Sequence, residues 1–490
     1  MSINRAFIIN VVVAMTMFFC ATAVQANNKL SYLQVGVFSD KATAKNILQQ
    51  LENSGFNAEQ RTIDMIGRPA VVVLVGPYER TSQALYDQRR LRDIGWPATV
   101  KRFQPLPKPK PSTFRATASG SLTAELRSFV DDPLYPEQHD STMSVAIQPE
   151  FHMSWNDRKS SLTFVPFVRV GDEDEERNHV DVRELMWINA MGDWELRLGV
   201  GKVFWGVTES LHLVDVINQV DLVENPDGEE KLGQPMLNLS RFTDWGTWDL
   251  FVLPLFRERT FAGINGRLRA PLVVDTEMDA LYESDDKDEH VDWAIRWSHY
   301  IGDWDIGLSH FSGTSRDPEF VAISATTLLP RYNLIDQTGL TLQALLGDWA
   351  WKLEATSTEE KNQRYTQAVA GFEYTHVGVF DSSIDLGLLL EYLYDERAGL
   401  VGLTPGPFEN DVMVGLRWVF NDMQSSEILM GTISDLDGGA ISSSVEASRR
   451  LGQSWKLALE YRGTSSIEDS DPAYILRNDD YFQLELGYFF

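Results

Sequence analysis

Eight histidines, His139, His152, His179, His212, His290, His299, His310 and His376, are the side chains of this 490-residue chain best suited to proton transfer or metal ligation. None sits in H-E-x-x-H spacing, and the chain has neither a G-x-S-x-G elbow nor a phosphate-binding loop. The single cysteine, Cys20, lies in the apolar N-terminal stretch. The remainder therefore has no thiol for a nucleophile, a disulfide or a thiolate metal site. These absences argue against an enzyme; no catalytic residue, metal ligand or resident cofactor is assigned. What remains is the chemistry of binding and of charge placement. Two groups carry it: Tyr32 and Gln34 with Val72 and Leu74, and the arginines Arg257, Arg259, Arg267 and Arg269.

The first group belongs to a repeat. At a constant offset of 40, Val35-Gly36-Val37-Phe38 aligns with Val75-Gly76-Pro77-Tyr78, Ala44 with Ala84, Leu51 with Leu91, and Gly55-Phe56 with Gly95-Trp96. Each half reads as a strand, a turn and an amphipathic helix closed by glycine, followed by a further strand near 58–63 and 98–103. The order is βαββαβ, the α+β ferredoxin-like arrangement. Helices cover one face of such a sheet, so strand residues alternate between core and open face. Leu33, Val35, Val73 and Val75 are expected inside, and Tyr32, Gln34, Val72 and Leu74 on the open face.

Residues 29–103 resemble the SPOR domain family, on the paired pattern Gln34-Val35-Gly36-Val37-Phe38 and Val75-Gly76-Pro77-Tyr78. The resemblance implies peptidoglycan binding, with a preference for glycan strands stripped of their stem peptides. It also implies that Gln34, the strand-one glutamine, contacts the sugar, with Ser39 as a further polar contact. Tyr32, Val72, Leu74 and Tyr78 are weaker carry-overs. An amide offers both a donor and an acceptor to sugar hydroxyls and acetamido groups, which fits that assignment.

The flanks place this module. Arg5, an apolar run from Phe7 to Phe19 and the small residues of Val24-Gln25-Ala26 read as a cleaved export signal over 1–26. Residues 104–115 alternate proline with other residues, a semi-rigid linker. Residues 27–115 carry 14 Lys and Arg against 7 Asp and Glu, whereas 116–490 carry 28 against 64. A strongly acidic large unit repels phosphate, so nucleic acid is excluded as its partner.

Residues 116–490 alternate apolar and polar positions in segments of about ten residues, the pattern of strands with one face in lipid and one in a polar lumen. Ile384, Leu386, Leu388, Leu390 and Tyr392 are one example. Tight turns, three of them Gly-Asp-Trp (192–194, 302–304, 347–349), alternate with longer acidic connections. Eight tight turns imply eighteen antiparallel strands, with sixteen as the fallback because 262–279 and 318–336 read ambiguously. The chain ends in alternating Phe482, Leu484, Leu486, Tyr488 and Phe490, which resembles the signal read by the barrel assembly machinery of the outer membrane. A transmembrane β-barrel in the outer membrane, with the N-terminal domain in the periplasm, follows as the expectation. None of the acidic connections has EF-hand spacing; loosely held divalent cations shared with lipopolysaccharide are their expected company.

One connection is unusual. Gly201-Lys202-Val203-Phe204-Trp205-Gly206, Leu213–Asn218 and Asp221 put apolar residues in a long loop. It resembles segments of porin-like channel barrels, with no residue role carried over. Either it folds inward and constricts a pore, or it caps the barrel from outside. Arg257, Arg259, Arg267 and Arg269 either supply the transverse field of a constriction or neutralise neighbouring acids. The functional expectation is a porin-like channel tethered to the wall; a closed barrel acting as a tether is the first alternative and an envelope hydrolase the second.

Overall fold

Strand β1 (Ser31–Phe38) runs between β3 (Arg68–Tyr78) and β4 (Thr99–Arg102), and β2 (Ala58–Met65) closes the other edge of β3. This antiparallel order, β2-β3-β1-β4, is the ferredoxin-like sheet expected from the repeat. The computed structural model describes residues 31–38, 40–65, 68–78, 81–102, 114–172, 174–469 and 471–490. The signal expected at 1–26, Ser39 and most of the linker lie outside them. Phe114 and Arg115, which the sequence reading gave to the linker, belong to the first strand of the large unit.

Two helices cover the sheet, α1 (Lys41–Asn53) and α2 (Thr81–Asp93). Helix α1 starts at Asp40, whose carboxylate accepts the free amides of Ala42 (3.1 Å) and Thr43 (2.9 Å). It ends before Gly55, at φ +82°, where a side chain would be strained. The repeated positions do the same work in both halves: Ala44, Leu51, Ala84 and Leu91 are all fully buried, against Leu33, Val73 and Val75. Val35 is an extra residue in β1, because Gln34 pairs with Leu74 but Gly36 pairs with Val73. This bulge restores Phe38 to the helix side and turns Val37 outward.

The second unit is a closed barrel of eighteen antiparallel strands, so the first of the two strand counts holds. Its first strand, Phe114–Phe129, pairs with its last, Tyr481–Phe489, and Gly120 and Phe490 exchange both backbone hydrogen bonds at 3.0 and 3.1 Å. The terminal aromatic run is thus the seam that removes both sheet edges. The eight tight turns read from the sequence fall at one end, and one further two-residue turn, Lys361–Asn362, lies at the other. Up to the start of the barrel strand Leu334–Leu346, the ambiguous stretches are not barrel strands: Val273–Val274, Glu319–Ala322 and Thr327–Tyr332 join Leu281–Tyr282 in a separate small sheet.

Alternation decides the two faces. Leu388, Leu390 and Tyr392 are exposed on the outer wall, while Leu389, Glu391 and Leu393 between them are buried. An exposed apolar outer surface around a polar interior is the arrangement of a transmembrane β-barrel. Among the described residues no helix is long and apolar enough to cross a membrane. Glycine opens the Gly-Asp-Trp turns for its backbone, not for space: Gly192, Gly302 and Gly347 have φ of 68°, 61° and 65°, with nothing within 4 Å of an added Cβ. The tryptophan that follows, exposed in Trp304 and Trp349, sits at the height of an interfacial belt.

Candidate functional site

Two regions hold the residues singled out by sequence, one in each unit. On the sheet face away from the helices, Gln34 is half-buried and pairs with Leu74 on one side and Thr99 on the other. Its companions are not open as expected. Tyr32, Val72 and Leu74 are 1%, 0% and 0% exposed and form their own apolar cluster. Part of the cover comes from Arg61, which lies across from Val72 in β2. Its guanidinium stands 4.6 Å from the centre of the Tyr32 ring and is held by Glu59 at 2.5 Å. The long stem of an arginine shields apolar neighbours while its head stays polar. Tyr78 is on the other face altogether. It packs into the helix-side core, and its hydroxyl donates to Asp87 at 2.7 Å. Burial and the Asp87 carboxylate push that hydroxyl well above the ordinary tyrosine range. The polar groups this face presents are therefore Gln34, Glu59 and Arg61, with Thr99 and Lys101 on the neighbouring strand.

In the barrel, the connection 202–233 folds inward, which settles its two readings in favour of the lumen. It leaves the strand Trp194–Gly201 and returns in the adjacent strand Gln234–Thr243. Asn218 closes its neck: the side-chain amide donates to the carbonyls of Gly201 and Leu232, both at 2.8 Å, and accepts from the Val203 amide at 2.8 Å. Trp205, Val214, Val216 and Ile217 then bury themselves against the inward residues Met186, Phe251, Ala294 and Phe311. Burial of this apolar set is the driving force that draws the loop inside, at about 25 cal/mol per Å² removed from water.

Carboxylates on the wall hold the polar part of the loop. Glu354, fully buried, accepts from the amides of Val207 (2.6 Å), Thr208 (3.0 Å) and Val214 (3.3 Å) and from the Thr208 hydroxyl (2.7 Å). Glu391 accepts from the amides of Glu209 and Ser210, both at 2.8 Å, and from the Ser210 hydroxyl at 2.6 Å. Glu209 reaches Arg417 at 2.6 Å, and Arg417 stands in the strand Asn410–Val419, nine places around the eighteen-strand ring from where the loop departs. Farther along, Asp227 meets Arg462 at 2.8 Å. The loop therefore crosses the whole lumen. Sequence reasoning marked its apolar residues but missed Glu354, Glu391, Arg417 and Arg462; strand alternation puts them inside, yet nothing local names their partners.

The four arginines do not converge on the loop as a field. Arg257 pairs with Asp181 at 2.8 Å and Arg259 with Asp317 at 2.7 Å. Arg267, its side chain buried, holds Asp479 at 2.7 Å and lies over the Phe129 ring. Arg269 donates to the carbonyls of Ile264 and Ala270 and covers Tyr135. Arg257, Arg259 and Arg267 each pair with an acid, Arg269 binds backbone carbonyls, and all four fasten the connection 254–291. His179, Asp221 and Glu224 bring three donor atoms within 4.8 Å of one another. Arg183 and Arg169 already engage the two carboxylates at 2.6 and 2.8 Å, so a cation would have to displace a guanidinium there.

A small ferredoxin-like sheet and a closed transmembrane barrel in one chain define a two-part envelope protein. Residues 27–101 match the family model described as SPOR domain, and the chain carries that domain there. No curated protein matches the chain. Among solved structures, a BenF-like porin from Pseudomonas fluorescens Pf-5 is similar over 77% of this chain and 98% of its own, at 9% identity and a TM-score of 0.46. Wzi from Escherichia coli, described as an outer membrane protein involved in group 1 capsule assembly and a carbohydrate-binding β-barrel, is similar over 75% and 83%, at 9% identity and a TM-score of 0.45.

Proposed function

We propose that this chain is a porin-like channel of the outer membrane, held to the cell wall by its SPOR domain, which lies in the periplasm and binds peptidoglycan glycan strands. The observation that carries the channel is the loop 202–233: it enters the lumen and is fixed to the wall by charged groups, yet leaves a cavity of about 340 Å³ beside it. The tether rests on the SPOR match and on the polar groups of the open sheet face, with Gln34 as the residue contacting sugar. Lipid and lipopolysaccharide surround the barrel, and the assembly machinery reads its terminal strand.

A closed barrel serving only as an anchor is the second reading, favoured by how much apolar surface the loop packs against the lumen wall. Two assays on the full-length chain separate these. Co-sedimentation with purified sacculi tests the tether; wild type pelleting with the sacculi supports it, and a supernatant-only protein refutes it. Liposome swelling tests the channel: solute entry supports a pore, and vesicles as tight as protein-free ones leave the anchor.

A further inference from the structure

The loop does not fill the lumen evenly. Its apolar parts pack against the walls from Met186 round to Met413. On the remaining side, past Leu429 and Ile433, the inward positions are mostly small or polar. They face a cavity bounded by Asn225 and Glu230 of the loop and by the strands from Glu427 to Gln483. The cavity reaches Lys456, next to the short turn at 452–454.

Carboxylates outnumber cations in its lining. Glu230, Glu427, Glu446, Glu460 and Glu485 face Arg417 and Lys456. Of these two cations Arg417 is already engaged by Glu209 at 2.6 Å and Glu373 at 3.3 Å. Arg462, which approaches from the side, is shared among Asp227, Glu446 and Glu460. Among the described residues no lysine or arginine lies in ion-pair range of Glu427 or Glu485; their oxygens accept only from Ser448 (3.0 Å) and Gln483 (2.7 Å). A narrow space whose carboxylates outnumber its cations, between low-dielectric walls, concentrates cations and repels anions.

We infer that the space between the loop 202–233 and the wall Glu427–Gln483 is the conducting path, and that it passes small hydrated cations in preference to anions. This deepens the channel reading and rests on it. Carboxylates outside any close ion pair set the preference, so Glu427 and Glu485 dominate it. It weakens as salt screens them, because the Debye length falls from about 10 Å at 0.1 M to about 3 Å at 1 M.

The test is the reversal potential of the full-length protein in planar bilayers under a tenfold KCl gradient. Wild type is expected to reverse on the potassium side, with potassium several-fold more permeant than chloride. The double variant Glu427→Gln, Glu485→Gln breaks no ion pair, so the barrel is expected to fold, which heat-modifiable gel migration checks. It should conduct with potassium and chloride about equally permeant. A wild type that conducts without preference, or prefers chloride, overturns the inference and leaves the channel reading standing. So does a double variant with wild-type selectivity. A folded, inserted protein that passes no current overturns both.

Discussion

Arg417 donates to Glu209 across 2.6 Å, joining the tip of the inward loop to the wall diametrically opposite its root. The pair is part of a larger clasp in which Glu354 and Glu391 take up the loop's backbone amides. Breaking the clasp should free the loop rather than the barrel, because the strands keep their own ladders. Glu354→Ala removes hydrogen bonds to a charged acceptor worth about 1.5–3 kcal/mol each. The expected result is a larger and noisier single-channel current with unchanged heat-modifiability of the barrel. A current indistinguishable from wild type would mean that the carboxylate does not hold the loop.

The small domain separates binding from packing. Gln34 is half-buried on its face, so Gln34→Ala should leave the thermal midpoint of the domain nearly unchanged and abolish co-sedimentation with sacculi. Leu74 is fully buried, and Leu74→Ala should cost about 2–5 kcal/mol, a large part of the stability of a domain this size. Its effect on sacculus binding should track the loss of folded protein by circular dichroism. Retained binding by Gln34→Ala would remove that residue from the contact.

Tyr78 carries a pH signature. Its hydroxyl titrates well above the ordinary range in the folded domain, through burial and Asp87. The stabilisation is complete below the unfolded tyrosine pKa, about 10. It is lost as pH rises, because the unfolded state releases the proton first. Unfolding of the wild type should therefore become easier above about pH 10, and Tyr78→Phe should flatten that dependence while preserving sacculus binding. Loss of binding in Tyr78→Phe would return the residue to the sugar-contacting set.

The repeat made the small domain legible: positions 40 apart, Ala44 with Ala84 and Leu51 with Leu91, bury identically, and local periodicity was enough to find both helices. Strand alternation and turn chemistry likewise gave the barrel and its eighteen strands. The exposure of Tyr32 and Val72 was misread because parity says which face a residue takes, not what lies over it; Arg61, on another strand, supplies part of that cover. The same limit applied to the lumen. Trp205 and Val214 announced a loop needing burial, but its clasp joins residues 140 to 208 positions apart, and no local pattern encodes such pairs. The arginines at 257–269 were visible as charge, while their partners, such as Asp479 for Arg267, lie on distant connections.

The seam offers another test. Removing residues 482–490 strips the strand Phe114–Phe129 and the strand Trp455–Ser465 of a shared neighbour and leaves two long apolar edges. The truncated chain should fail to reach the compact heat-modifiable form and should aggregate on refolding into detergent. A compact form of normal migration would show that closure does not depend on the terminal strand.

Single-channel recording of the full-length protein in planar bilayers bears most directly on the channel. Discrete current steps are expected from each inserted molecule, smaller than those of the Glu354→Ala variant. Bilayers that stay silent while gel migration shows folded, inserted barrels would contradict it and leave a sealed anchor.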